Sequence, residues 1–229
     1  MKYFNQSKFN QLVLEYEVIG FKTDPIKLKS GRDSHWYVNW RSGTSDVHLL
    51  RELAKYITAY TKDQALTPDQ FYGVPEGATA LGIVANIELA EESTSYARGS
   101  HSIFLERKEP KSHGEPKDRF FVGQPHGKII VLEDVTTTGG SLIKTIKRLQ
   151  DYGLEIIAAY GLTNRNEKNE NGKSVEEAVG ELGVPYFALS NALDLLPLAA
   201  QQSKPSTEIL RHIEKEFQQY GEKKLHFPE

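Results

Sequence analysis

The chemistry of this chain is concentrated in Lys128–Leu142, KIIVLEDVTTTGGSL. A run of branched apolar residues, Ile129–Leu132, ends in two adjacent carboxylates, Glu133 and Asp134. Val135, Thr136, Thr137, Thr138, Gly139, Gly140 and Ser141 follow. Hydroxyls and glycines between a strand and a helix start make an anion cradle. Glycine lets the backbone approach the ligand, free N–H groups point at it, and the helix dipole favours its negative charge. Adjacent carboxylates at the strand end can accept hydrogen bonds from vicinal hydroxyls. An anion bound a few residues later sits about one sugar away, which suits a ribose 5-phosphate. The segment has neither the GxxxxGK[ST] spacing of a Walker A loop nor a GxGxxG fingerprint. An ordinary strand–turn–helix junction would not need the acids, three threonines and two glycines together.

Four further segments carry candidate groups. Arg107-Lys108-Glu109-Pro110-Lys111-Ser112-His113-Gly114 holds three cations and a histidine just past an apolar strand. Cations on a mobile flap there would stabilise charge developing on a leaving group. Leu28–Asn39, LKSGRDSHWYVN, sets Lys29 beside a tight turn and an aromatic strand, which could grip a flat anionic ring. Tyr72–Thr79, YGVPEGAT, is a second strand–turn–helix and so a second possible anion loop. Leu162–Glu167, LTNRNE, puts Arg165 just past a strand end, where a guanidinium can pair bidentately with a carboxylate.

These groups need a scaffold, and the chain alternates strand and helix patterns. Strands are expected at Gln70–Val74, Ser102–Glu106, Ile129–Glu133, Ile156–Thr163 and Tyr186–Ser190. Helices are expected at Asn5–Val18, Val47–Tyr60, Ala78–Ala90, Ser141–Tyr152, Ser174–Leu182, Ala192–Ala200 and Thr207–Tyr220. Ile26–Asn39 reads as a hairpin turning at Ser30–Asp33, Pro110–Phe120 as irregular, and Asn164–Lys173 as a solvated loop. That order predicts an α/β fold with a doubly wound, mostly parallel sheet and ligand loops at the strands' carboxyl ends. The N-terminal hairpin and the Ser190–Pro205 region would form a lid. One domain over 1–229 is expected, with a helix and hood hairpin to about 45, a core over 46–190 and C-terminal helices over 191–229.

Composition narrows the classes. The 229 residues carry a net charge of -3, so no global basic surface points to nucleic acid. There is no cysteine, which excludes disulfides, thiol catalysis and thiolate metal sites. No run approaches the roughly 18 apolar residues of a membrane span. The N-terminal segment lacks a signal peptide's basic and apolar regions, so a cytoplasmic protein is expected.

VLEDVTTTGGS resembles the phosphoribosyl-pyrophosphate motif of type I phosphoribosyltransferases. With LKSGRDSxxYxN, GVPEGATALG, RKEPKSHG and the late arginine in order, Asp24 to Arg165 is similar to the orotate phosphoribosyltransferase family. The RKExKxHG pattern separates that family from purine and uracil transferases. The resemblance implies transfer of a phosphoribosyl group from phosphoribosyl pyrophosphate to orotate, giving orotidine 5′-monophosphate and pyrophosphate in pyrimidine (UMP) biosynthesis. It implies Mg²⁺ carried by the substrate, with no protein metal site. By motif position Glu133 and Asp134 take the ribose hydroxyls, and Val135 and Thr136 to Ser141 the 5-phosphate. Lys29, Tyr37, Val38, Thr137 and Arg165 take orotate, with Lys29 also reaching the sugar phosphate. Arg107, Lys108, Lys111 and His113 take pyrophosphate, and Lys111, His113 and Asp134 are the implied catalytic residues. The flap would reach into a neighbouring subunit's site in a homodimer. A transferase for another nucleobase and a non-catalytic sensor of phosphoribosyl pyrophosphate are the rival readings.

Overall fold

The computed structural model describes residues 2–113, 115 and 118–228. Gly114, Pro116 and Lys117 of the expected flap lie outside the described residues. The site is built on a four-stranded parallel sheet in the order β3 (Gln70–Gly73), β6 (Lys128–Thr136), β7 (Glu155–Asn164), β8 (Tyr186–Asn191). Both faces of the sheet are covered, so its strands are apolar throughout rather than alternating. Ile130 and Leu132 enter one core with Phe71, Ala158 and Tyr160. Ile129 and Val131 enter the other with Tyr72 and Ala159.

Helices complete each layer. The amphipathic pattern predicted for α3 (Val47–Asp63) buries Leu50, Leu53, Ala54 and Ile57. With α1 (Gln6–Glu15), α4 (Thr79–Glu91), α7 (Ala192–Ser203) and α8 (Thr207–Tyr220) it covers the first face. The second face is covered by α5 (Gly140–Asp151), through Leu142, Ile146 and Leu149, and by α6 (Val175–Gly180). A two-stranded hairpin, β1 (Ile19–Lys27) and β2 (Asp33–Val38), stands apart from the sheet and packs on α7 and α8. A short helix, α2 (Trp40–Thr44), leads from it into α3. Among the described residues no helix is long and apolar enough to cross a membrane.

Three expectations need correction. The strand expected at Ser102–Glu106 shrinks to β4 (Leu105–Glu106), which pairs antiparallel with β5 (Phe121–Val122) and stays outside the main sheet. The Gln70 amide donates to the Ser102 carbonyl and to the Gln124 carbonyl, so a side chain at the sheet edge does what a ladder would do. The Ser190–Pro205 region is not a lid. It divides between β8 and α7, whose Leu195, Leu196 and Ala199 are core residues. Asn164–Lys173 is solvated only in its second half. Asn164, Arg165, Asn166 and Glu167 are all buried, because Arg165 and Arg32 neutralise Glu167 from two sides and Glu167 bridges to Gly221.

The sheet interior also fixes the start of the phosphate loop. The Thr136 hydroxyl lies 2.6 Å from that of Tyr186. Gly161 leaves room for this pair, since a Cβ there would stand 2.6 Å from the Tyr186 hydroxyl and 3.3 Å from Thr136 Oγ1. Gly161→Ala should therefore destabilise by about 1–3 kcal/mol through overpacking. Thermal unfolding should show a Tm drop of about 2–4 °C per kcal/mol. An unchanged Tm would contradict this packing.

Candidate active site

A cleft of about 650 Å³ opens at the carboxyl ends of β6 and β7, roofed by the β1–β2 hairpin. Lys29, Tyr37, Val38, Glu133, Asp134, Val135, Thr136, Thr137, Thr138, Gly139, Gly140, Ser141 and Arg165 all line it. Residues more than 130 positions apart in the chain thus share one cavity.

One end of the cleft is built for an anion. Helices α1, α3, α6, α7 and α8 are each capped by a side chain, from Asn5, Asp46, Ser174, Asn191 and Ser206. Helix α5, like α2 and α4, has no side-chain cap, and its N-cap Gly139 is in the left-handed conformation at φ 76°. Its first-turn N–H groups and dipole face the Thr/Gly loop, the arrangement that binds phosphate at helix N-termini. Lys29 reaches across from the hairpin, its Nζ 3.0 Å from Ser141 Oγ. The Thr136 hydroxyl is turned inward to Tyr186, so loop side chains are offered to the cleft by Thr137, Thr138 and Ser141.

The middle of the cleft is acidic. Glu133 and Asp134 are 7 % and 8 % exposed. Glu133 Oε1 accepts from the Asp134 N–H at 3.1 Å, and Asp134 Oδ1 from the Val135 N–H at 2.8 Å. Burial, and then the neighbouring Asp134, push the Glu133 carboxyl up to about 9. Desolvation and a like charge both disfavour ionisation. Gly77, in the turn after β3, makes room for the pair: a Cβ there would lie 2.4 Å from Asp134 Oδ2.

The other end is cationic and aromatic. Arg165 is 2 % exposed. Its Nε donates to Glu167 Oε1 at 2.8 Å and its Nη2 to Ser34 Oγ at 3.0 Å, while Cζ sits 3.6 Å over the Trp36 ring. Burial pushes its guanidinium down, and Glu167 and then Glu216 oppose that.

The four flap residues do not join this cavity. Arg107, Lys108, Lys111 and His113 lie on an arm continuing the β4–β5 pair, with Arg107 N donating to Phe120 O and Lys111 N to Arg119 O, both at 2.8 Å. The root of the arm is fixed where Glu106 meets Arg148 and Tyr72. Lys108 and His113 are exposed, and among the described residues none of the four forms an ion pair with a carboxylate.

Sequence reasoning passed over Arg41, whose Nε is 3.8 Å from Asp134 Oδ2. It lies on α2, five residues long, too short to show a periodicity. The only available signal was a cation two places after Asn39. Tyr186, which orients Thr136 from 50 positions away, left no local trace at all.

The doubly wound sheet, the acidic strand end and the uncapped hydroxyl loop are the parts expected of a phosphoribosyltransferase. The comparisons agree. No family model matches the chain. The chain is 30 % identical over 175 residues to the orotate phosphoribosyltransferase of Aquifex aeolicus, covering 76 % of this chain and 88 % of that one. It is 31 % identical over 186 residues to that of Bradyrhizobium sp. strain BTAi1, covering 77 % and 90 %. The crystal structure of the orotate phosphoribosyltransferase of Francisella tularensis shares the fold, with a TM-score of 0.67 at 20 % identity, over 93 % of this chain and 99 % of that one. The chain belongs to the orotate phosphoribosyltransferase family, a family of transferase enzymes.

The raised Glu133 carboxyl has a consequence for stability. The folded protein keeps this proton up to about pH 9, whereas an unfolded chain releases it near pH 4.3, roughly the reference value. The stability linked to Glu133 is therefore intact below the unfolded value and falls as pH rises toward the folded one. Glu133→Gln should raise Tm, with a gain larger at about pH 8 than at about pH 5. A gain independent of pH would contradict a neutral Glu133.

Proposed function

We propose that this chain transfers the phosphoribosyl group of phosphoribosyl pyrophosphate to N1 of orotate, yielding orotidine 5′-monophosphate and pyrophosphate. The observation that carries this is the set of groups sharing one cleft: uncapped N–H donors with Lys29 across from them at Ser141, two acidic side chains, and a buried arginine. A 5-phosphate, a ribose diol and an anionic base match that set of groups. In the reaction N1 of deprotonated orotate bonds to the anomeric carbon as the bond to pyrophosphate breaks, and pyrophosphate leaves with the electron pair. The sugar passes through an oxocarbenium-like state and no protein nucleophile is required. The chain's work is to align the partners and to stabilise charge. Glu133 and Asp134 hold the diol, Thr137 to Ser141 with Lys29 the 5-phosphate, and Tyr37, Val38 and Arg165 the base.

Magnesium would arrive with the substrate and would supply positive charge beside the pyrophosphate. Asp134 with the Glu133 carboxyl beside it would offer oxygen donors to such an ion. Both substrates are anionic and do not cross a bilayer unaided, which supports a cytoplasmic enzyme working beside the reactions that supply them. An orotate-dependent absorbance assay with phosphoribosyl pyrophosphate and Mg²⁺ tests the reading. No turnover with orotate, or equal turnover with uracil or a purine, would overturn it.

The pyrophosphate cations come from a second copy of the chain. This is supported by a flap whose three cations and histidine lie outside their own cleft. Lys111→Ala should cut turnover about 10²–10³-fold, the cost of one stabilising contact to developing charge. Mixing Lys111→Ala with Asp134→Asn subunits, each nearly inactive, should restore about a quarter of wild-type activity by random pairing. No recovery, with exchange verified by mass spectrometry, would contradict a shared site.

Arg165 is the base-side test. Its loss leaves the orotate carboxylate unpaired, at a cost of about 1–3 kcal/mol or more. Arg165→Leu should raise the KM for orotate far more than that for phosphoribosyl pyrophosphate. Equal effects on both would move Arg165 out of the base site.

A further inference from the structure

Helix α8 contributes nothing to the cleft lining, yet it lies directly behind the base-side arginine. Glu216 on that helix is 16 % exposed at its side chain. Its Oε1 accepts from the His35 N–H at 2.7 Å, and its Oε2 lies 2.8 Å from Ser34 Oγ. Ser34 is fully buried. Its hydroxyl has two possible acceptors, Glu216 Oε2 at 2.8 Å and the Trp36 carbonyl at 2.9 Å, but a single proton to give. The carboxylate is the stronger acceptor, because the bond is charge-assisted. With the proton on Glu216, the Ser34 lone pairs are left to Arg165 Nη2 at 3.0 Å. The Trp36 carbonyl is left to Arg165 Nη1 at 3.4 Å. The next residue on the helix, Phe217, stacks on Trp36 with centroids 6.1 Å apart and planes 24° apart. Trp36 in turn carries the guanidinium, its Cζ 3.6 Å from the ring centroid.

We infer that Glu216 is a positioning residue for orotate: by taking the Ser34 proton it fixes the direction in which Arg165 presents its guanidinium to the base site. This rests on the assignment of Arg165 to the orotate carboxylate. Glu167 anchors only Nε, which leaves the guanidinium free to swing about that bond. Glu216, acting through Ser34 and the Trp36 carbonyl, ties down both Nη groups. A neutral amide at 216 offers Ser34 a donor as readily as an acceptor. The hydroxyl then turns to the Trp36 carbonyl and competes with Nη1.

Glu216→Gln keeps the size of the side chain and its packing beside Phe217. It should raise the KM for orotate about tenfold, the scale of one charge-assisted hydrogen bond, with the KM for phosphoribosyl pyrophosphate unchanged. Ser34→Ala should do the same, and adding Glu216→Gln to it should have no further effect, because the two act in series. Glu216→Asp, which keeps the charge, should lie between wild type and Glu216→Gln. Three outcomes would overturn the inference: equal changes in both KM values, additive effects of the two substitutions, or a lowered Tm with orotate KM unchanged. If Arg165→Leu shifts the orotate KM and Glu216→Gln does not, the relay alone fails. If Arg165→Leu shifts neither constant selectively, the base-site assignment fails and the relay with it.

Discussion

Two adjacent carboxylates buried at the end of the central strand constrain everything around them. A like-charged pair taken out of water cannot both be ionised cheaply, and the protein resolves this by keeping Glu133 protonated. The surroundings must then hold the pair without crowding it. The turn after β3 carries glycine at position 77, because any side chain there would collide with Asp134. The strand after the pair continues to Thr136 and is locked by Tyr186. The loop that follows can then open at Gly139 with its helix uncapped.

The rest of the cleft is arranged by charge around that centre. N–H donors and Lys29 gather at one end, acids in the middle, and a guanidinium backed by Trp36 at the other. Burying that guanidinium is costly in isolation, and Glu167 supplies the compensating charge at 2.8 Å. Arg32 from the hairpin pairs with the same carboxylate and also lies on the Tyr220 ring of α8. Hairpin, sheet edge and C-terminal helix are thereby held by a single ionic cluster.

Much of this was legible in the sequence where information is local. KIIVLEDVTTTGGSL announced its strand, acids and loop because apolar run, carboxylates and glycines are contiguous. Thr207–Tyr220 was recovered to the residue because its amphipathic pattern and Ser206 cap are both local. What failed depended on distant partners. NRNE looks solvated by composition, and its burial requires Arg32 and Gly221 from opposite ends of the chain. The segment at Ser102 reads as a strand, yet its partner is Phe121 and Val122 across the flap rather than the main sheet. Arg41 and Glu216 matter through contacts that no spacing rule encodes.

The central claim is that the acidic pair reads a sugar while the loop reads its phosphate. Calorimetric titration with ribose 5-phosphate and with inorganic phosphate, on the wild type and on Asp134→Asn, tests it directly. The account predicts that ribose 5-phosphate binds the wild type clearly more tightly than inorganic phosphate does, and that this advantage disappears in Asp134→Asn while inorganic phosphate binding persists. Equal affinity of the wild type for the two ligands, or an advantage that survives in Asp134→Asn, would contradict it.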